Sequence, residues 1–295
     1  MQSVRSKNLL LFHFIVLLFG LTSVLGALIS ISAVSLVIYR MGLASFGLAI
    51  YFLLFHPSYF HLPKSLWRRV VLCGLVLGFH WITFFYAIKI AGVSLALSMM
   101  ATGALITAIL DPIINRRKLL GYELVFGGLT SIGIGLIYQA EFEHIEGISI
   151  ALLSALLSSL FTIINGEMVK IARPITLSFY ELLVGFIICV IIAAFSDKIT
   201  IMSFELKDWD IAWITILSLL CTSYAFNISI KVMRHLSSFT IMMVISLEPI
   251  YGIILSLLIW NEKEYLSFHF YVGFLIVISS ILLNGIYKLN KYDKK

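Results

Sequence analysis

Apolar residues run along almost the whole chain in stretches of about 20, and short polar segments separate them. An apolar helix of about 20 residues crosses a hydrocarbon core of about 30 Å. Stretches this continuous are typical of helices rather than of alternating barrel strands. The pattern therefore predicts an all-α integral membrane protein with ten transmembrane helices, at roughly 9–28, 33–55, 70–89, 93–114, 120–139, 147–168, 174–196, 209–231, 238–260 and 268–287.

Composition and charge distribution agree with a bilayer protein. Charged residues make up 12% of the 295 residues, against about 25% in soluble domains. Lys and Arg concentrate on the side of the N-terminus, which the positive-inside rule assigns to the cytoplasm. We therefore expect the cytoplasmic (inner) membrane, with both termini cytoplasmic. The inner segments hold Arg5, Lys7, Lys64, Arg68, Arg69, Arg116, Arg117, Lys118, Lys170, Arg173, Lys231, Arg234, Lys288, Lys291, Lys294 and Lys295, whereas the outer ones hold Lys89, Lys198, Lys207 and Lys263.

The chain repeats itself over two halves, 1–140 and 147–295, each with five predicted spans. An ordered set of residues in the first half recurs in the second: Lys89, Ser94 and Met99-Met100 correspond to Lys231, Ser237 and Met242-Met243. An odd number of spans in each half places the two copies in opposite membrane orientations. The sequence therefore predicts two inverted five-helix repeats, an arrangement found in many secondary transporters, with the substrate site between the halves.

The end of the second half carries a more specific pattern, which is Ser246-Leu247-Glu248-Pro249-Ile250, then Leu258-Ile259-Trp260-Asn261-Glu262, then Gly273. This pattern resembles the EamA family of the drug/metabolite transporter superfamily, and the similarity covers nearly the whole chain. The resemblance implies ten helices, cytoplasmic termini and a central cavity that helices 1–4 and 6–9 line. Helices 5 and 10 would then pack outside.

Three charged residues lie well inside predicted spans, namely Arg40, Glu181 and Glu248. Charges in hydrocarbon are costly and are usually functional or paired. At 1.5 Å per residue, Glu248 lies near the midplane and Arg40 within about 5 Å of the same height, so these two could pair. Pro249 removes a backbone donor and breaks the helix beside Glu248. Structural alternatives remain open: an ion pair or snorkelling for Arg40, a neutral carboxyl for Glu181, and a packing kink at Pro249.

Polar side chains also recur at helical spacing, which favours a cavity wall. They form a stripe in span 147–168, a His-Trp pair in span 70–89 and a polar group in span 209–231. Two structural interpretations are the alternatives to a cavity wall. The hydroxyl groups could only allow helices to approach closely, and the histidine could make a purely structural hydrogen bond. The candidate residues are Ser154, Ser158, Thr162 and Asn165; His80 and Trp81; and Tyr224 and Asn227.

These features favour a secondary transporter that moves a small organic metabolite or drug-like solute by alternating access, with export as the expected direction. A channel or receptor-like scaffold is the first alternative, and an integral-membrane enzyme acting on lipid-linked substrates is the second. The sequence contains no Walker-type phosphate loop and no cluster of residues with metal-ligand spacing, so we expect no cofactor, no metal and no enzymatic activity. The expected partners are the lipid bilayer and a small-molecule substrate, without nucleic acid. Homo-oligomerisation stays open.

Overall fold

The computed structural model describes residues 2–140, 145–196, 199–260 and 267–292. These residues form α-helices with short 3₁₀ and π segments and contain no strand, which confirms the all-α class. The helices are α1 (Gln2–Leu28), α2 (Ala33–Phe55), α3 (Trp67–Met100), α4 (Gly103–Ile114), α5 (Gly121–Ala140), α6 (Ile145–Met168), α7 (Pro174–Ala194), α8 (Asp210–Ser218), α9 (Ala225–Val232), α10 (Ser238–Ile245), α11 (Glu248–Trp260) and α12 (Phe268–Tyr292).

Six helical segments of the described residues are long and apolar enough to cross a membrane. Three shorter apolar helices accompany them, at Gly103–Ile114, Ser238–Gly252 and Tyr271–Asn284. Long apolar helices identify a multi-pass membrane protein. The count of ten spans stays a prediction, because some of the predicted spans are divided in the structure. The six segments are Ser6–Leu28, Ala33–Phe55, Lys64–Met100, Ile145–Met168, Pro174–Ala194 and Asp210–Val232.

The chain interrupts its helices at corresponding places in the two halves. Predicted span 93–114 is divided between α3 and α4 at Ala101 and Thr102, just after Met99-Met100. Predicted span 238–260 is divided between α10 and α11 at Ser246 and Leu247, shortly after Met242-Met243. Discontinuous helices at matching positions of inverted repeats are typical of transporter binding sites.

A glycine supplies the sharp bend within the longest helical run. Gly92 has φ 83° and ψ 166° and divides α3 into two helical segments. Only glycine adopts such a positive φ without steric cost. The second segment of α3, together with α4, therefore corresponds to the predicted fourth span.

The two interrupted regions meet near the middle of the protein. The Ser246 hydroxyl donates a hydrogen bond to the Ala101 carbonyl at 3.3 Å, and the Ser159 hydroxyl of α6 donates to the Gly103 carbonyl at 3.0 Å. These side chains satisfy backbone carbonyls close to the interruptions. The two halves of the chain are thus joined at the level where each has an interrupted helix.

Helices α5 and α12 pack against each other and away from this centre. The Thr130 hydroxyl donates to Ser280 Oγ at 3.2 Å, and Ser280 donates to the Phe126 carbonyl at 2.6 Å. Small polar residues of this kind let membrane helices approach closely and bond across the interface. None of the described side chains of these two helices lines the cavity described next.

Candidate functional site

A cavity lies between the two halves of the chain, with a volume of about 80 Å³. One water molecule occupies about 10–15 Å³ on this measure, so the cavity has room for several waters. Its walls come from α1, α2, α3, α6, α9, α10 and the first residue of α11. Six aromatic side chains line it, namely Phe12, Phe19, Trp81, Phe84, Phe161 and Phe226.

The Arg40 side chain, on α2, lines the cavity and is held in position by its neighbours. Its side chain is buried, and Nε donates to Thr222 Oγ1 at 2.7 Å. The guanidinium carbon lies 3.7 Å from the centre of the Trp81 ring, a cation–π arrangement. The side chain therefore does not snorkel to the membrane surface but is held at the cavity wall.

Glu248 enters the same cavity from the other half of the chain. It is the first residue of α11 and directly follows the interruption at Ser246 and Leu247. A helix begins with unpaired N–H groups, which favour a negative charge there. Pro249 occupies the second position of the helix, where its missing N–H costs little. The local sequence thus places a carboxyl group at the central end of an interrupted helix.

Arg40 and Glu248 face each other across the cavity without forming a direct ion pair. The two groups interact electrostatically, but among the described residues neither is within 4.0 Å of an oppositely charged partner. The Glu248 carboxyl also has no hydrogen-bond partner among the described residues. A positive and a negative group at a separation that leaves room between them can bind a solute that carries complementary charges.

Hydroxyl and imidazole groups extend the polar wall. Ser158 and Thr162 of α6 line the cavity, as does His80 of α3. The His80 Nδ1 atom lies 2.8 Å from Ser154 Oγ, and the Ser154 hydroxyl donates to the His80 carbonyl at 3.0 Å. Three members of the predicted stripe are thus at or beside the cavity, where Ser154 holds His80 rather than facing the space itself.

The structure does not bring Tyr224 and Asn227 to the cavity. Tyr224 is 46% exposed on the outside, and Asn227 is not among the lining residues. The reason is a π-helix over Leu219–Tyr224, which adds a residue to the turn and rotates the following helix. Phe226 and Ser229 line the cavity instead. A prediction that assumes 3.6 residues per turn throughout this segment does not place Phe226 and Ser229 on the cavity side.

Glu181 and Asn165 lie outside the cavity as well. Both are fully buried, and they meet between α3, α6 and α7 beside Cys73. Asn165 is one turn beyond Thr162, so it belongs to the same helix but to a deeper part of the bundle. The candidate residues therefore form two separate polar groups, one in the cavity and one behind its wall.

The sequence profile of the EamA-like transporter family matches the chain twice, over residues 6–139 and 145–286. The chain belongs to the EamA-like transporter family. This confirms the resemblance that the Glu248-Pro249 region indicates, and it assigns the protein to a family of transporters rather than of enzymes. No relative was found among curated proteins.

Solved structures share the fold of this EamA-like chain. One crystal structure superposes with a TM-score of 0.68 over 95% of both chains, at 11% sequence identity. At that identity the similarity shows the fold alone. The role of the cavity must therefore be argued from its own residues.

Proposed function

We propose that this EamA-like protein is a secondary transporter that binds a small organic solute in the central cavity and moves it across the cytoplasmic membrane, with export as the direction. The observation that carries the proposal is the pair Arg40 and Glu248. Each half of the chain contributes one buried charge to a single cavity. Ionisable groups inside membrane proteins mark substrate or ion pathways, and the interrupted helix beside Glu248 is where transporters of this architecture bind their substrates.

The cavity walls favour a particular kind of solute. Arg40 suits an anionic group and Glu248 suits a cationic one, while the aromatic side chains between them suit an apolar body. A cavity of about 80 Å³ is smaller than an organic metabolite, so binding requires the walls to separate. We propose a small solute that carries both charges, bound in a state with a wider cavity.

Two sets of contacts at opposite ends of the bundle support alternating access. At one end, Ser30, between α1 and α2, donates through its N–H and hydroxyl to the Asp210 carboxylate at 2.9 and 2.5 Å. Lys89 donates to the Ile29 carbonyl at 2.9 Å beside them. The charge distribution assigns this end to the outside. Opening toward the outside would break these contacts.

The other end carries the corresponding set. Arg173, between α6 and α7, donates to Ser58 Oγ at 3.2 Å, and its guanidinium carbon lies 4.8 Å from the centre of the Tyr59 ring. Thr176 donates to the Tyr59 carbonyl at 2.8 Å. In both sets, the loop after the first helix of one half contacts the beginning of the third helix of the other half, or the segment just before it, through the pairs Ser30–Asp210 and Arg173–Ser58. Alternating access requires the two sets to break in turn.

A ligand screen followed by counterflow tests this function. A metabolite that binds only the folded protein raises its melting temperature, so a library screen identifies the solute. We then expect saturable counterflow of that solute in proteoliposomes, and the same flux in Lys170→Gln, which alters only an exposed ion pair with Glu167. Unitary ionic currents, or a flux that does not saturate, would instead favour a channel.

The proposed orientation gives a separate prediction. In intact cells, an impermeant maleimide should label Lys207→Cys, which lies in an outer segment, and should not label Lys118→Cys, which lies between α4 and α5. Both side chains are exposed, whereas the native Cys73, Cys189 and Cys221 are buried and give little background. Labelling of both variants after permeabilisation is the control. Labelling of Lys118→Cys in intact cells would contradict the assignment.

A further inference from the structure

A second polar group lies behind the cavity wall, where α3, α6 and α7 meet. Glu181 of α7 is 0% exposed, and among the described residues neither of its carboxyl oxygens has a hydrogen-bond partner. The Asn165 side-chain amide of α6 lies within reach of the Glu181 carboxyl group but not in the geometry of a hydrogen bond to it, and among the described residues its Oδ1 atom has no partner. The Asn165 Nδ2 atom points instead to Cys73 Sγ of α3 at 3.8 Å. Three buried polar atoms are therefore left unsatisfied at one place.

Among the described residues, no cation pairs with Glu181 from the elements that pack around it. From α3 the titratable neighbour is Cys73, a thiol. On α2, Arg40 is held by Thr222 and faces the central cavity, and at the end of α9, Lys231 is exposed. An ionised carboxylate in this position would bear the full cost of a buried, unpaired charge.

Glu123, another buried carboxylate of this chain, shows the kind of cationic partner that stabilises a buried negative charge. Glu123 is 3% exposed, and it accepts a hydrogen bond from Arg117 Nη2 at 2.7 Å. Glu181 has no such arginine among the described residues. A proton on Glu181 removes the charge, and the resulting O–H can donate to Asn165 Oδ1, which leaves a single neutral carboxyl oxygen without a partner instead of a charge. The structure thus fits a neutral acid at position 181.

We propose that Glu181 is a proton-binding site of the transporter, separate from the solute cavity, that holds a proton in the state seen here and releases it when the wall between α3 and α7 opens to water. The proton leaves the carboxyl oxygen for water, and the carboxylate that remains is solvated. This inference rests on the proposed function, because the proton then becomes the ion whose gradient drives solute movement.

The helices that surround Glu181 are those that form the cavity wall. On α3, Cys73 is one turn from Leu77 and two turns from His80 and Trp81, and on α6, Asn165 is three residues from Thr162. A movement of α3 or α6 that widens the cavity therefore also changes the surroundings of Glu181.

The packing at this place excludes water in the present state. A Cβ atom at Gly74 would lie 2.9 Å from the Glu181 carbonyl, and one at Gly185 would lie 3.1 Å from the Gly74 carbonyl. The backbones of α3 and α7 are therefore in close contact beside Glu181, and their separation would open a path for water to its carboxyl group. Through this contact, the protonation of Glu181 is linked to the position of α3 relative to α7.

Infrared spectroscopy of the purified full-length protein in nanodiscs tests the protonation state without any substrate. The protein carries Glu248→Gln in this experiment, because Glu248 is the other buried carboxyl group that has neither an ion pair nor a hydrogen-bond partner among the described residues. In that background we expect the carbonyl stretch of a protonated carboxylic acid at neutral pH, and we expect Glu181→Gln to lose it. Glu123→Gln is the matched control, because its carboxylate is ion-paired, and it should retain that band. Absence of the band in the Glu248→Gln protein, or its persistence when Glu181→Gln is added, would overturn the proposal.

The native Cys73 reports whether ionisation hydrates the site. In a Cys189→Ala, Cys221→Ala background, alkylation of Cys73 by N-ethylmaleimide should rise more steeply with pH than in the same protein carrying Glu181→Gln. Equal pH profiles would show that Glu181 is a static neutral acid and would overturn the coupling. Neither measurement depends on transport, so failure of the proposed function and failure of the proton site are distinguishable.

Discussion

Replacement of Glu248 by Gln should severely reduce solute transport while the protein still folds and inserts. The substitution keeps the shape of the side chain and removes its charge from the cavity, where it faces Arg40. A hydrogen bond to a charged group contributes about 1.5–3 kcal/mol, which corresponds to a loss of about 10- to 100-fold in solute affinity. The measurement is the counterflow rate of the screened solute, with thermal stability as the check on folding.

Glu146→Gln is the matched control, because this carboxylate is exposed and, among the described residues, its hydrogen-bond partner is the Tyr86 hydroxyl at 3.1 Å. It should transport as well as the wild type. Wild-type flux in Glu248→Gln would instead make the residue structural and remove the main support for the proposed site.

Arg40 extends the same test to the second charge. Arg40→Gln should lower thermal stability more than the double variant with Glu248→Gln, because a single buried charge is less favourable than none. Arg40→Lys keeps the charge but loses the planar contact with Trp81 and the Nε bond to Thr222. We therefore expect it to fold but to transport poorly. Strictly additive effects on stability would show that Arg40 and Glu248 are not coupled.

The largest loss of stability should come from Arg117, outside the cavity. Its side chain donates to Asp111 Oδ2 at 2.6 Å and to Glu123 Oε2 at 2.7 Å, and thereby joins the end of α4 to the beginning of α5. Both carboxylates are largely buried. Removing the guanidinium leaves two carboxylates close together without a cation, which typically costs about 3–5 kcal/mol for a buried pair. Because Arg117 is itself 27% exposed, we expect about 3 kcal/mol.

The free energy of unfolding of Arg117→Gln in mixed micelles measures this effect. Adding Asp111→Asn and Glu123→Gln to the same protein should recover much of the loss, since no buried charge is then left unpaired. The exposed pair of Lys170 and Glu167 provides the control, because its removal should change stability by about 1 kcal/mol or less. A loss of that small size in Arg117→Gln would show that the α4–α5 connection is not held by this cluster.

Much of the fold could be predicted because it depends on local patterns. The apolar stretches predict helices since hydrocarbon leaves no other way to satisfy the backbone. The repeated lysine, serine and Met-Met order predicts two related halves, and the Glu248-Pro249 motif predicts the family that the profile match confirms. The depth estimate also gives Arg40 and Glu248 similar heights, and both line the cavity.

Only the tertiary structure decided how each helix is rotated about its axis and which helices it contacts. Both depend on contacts between distant parts of the chain. The π-helix over Leu219–Tyr224 turned Tyr224 outward and brought Phe226 to the cavity, because one added residue per turn shifts every later side chain. Thr162 and Asn165 share one helical stripe, yet only Thr162 lines the cavity, since α7 covers the wall at Asn165 with Glu181. The sequence by itself determined which polar groups enter the membrane, because their cost is local. Which of them share a cavity depended on how the helices pack, which no single stretch of sequence specifies.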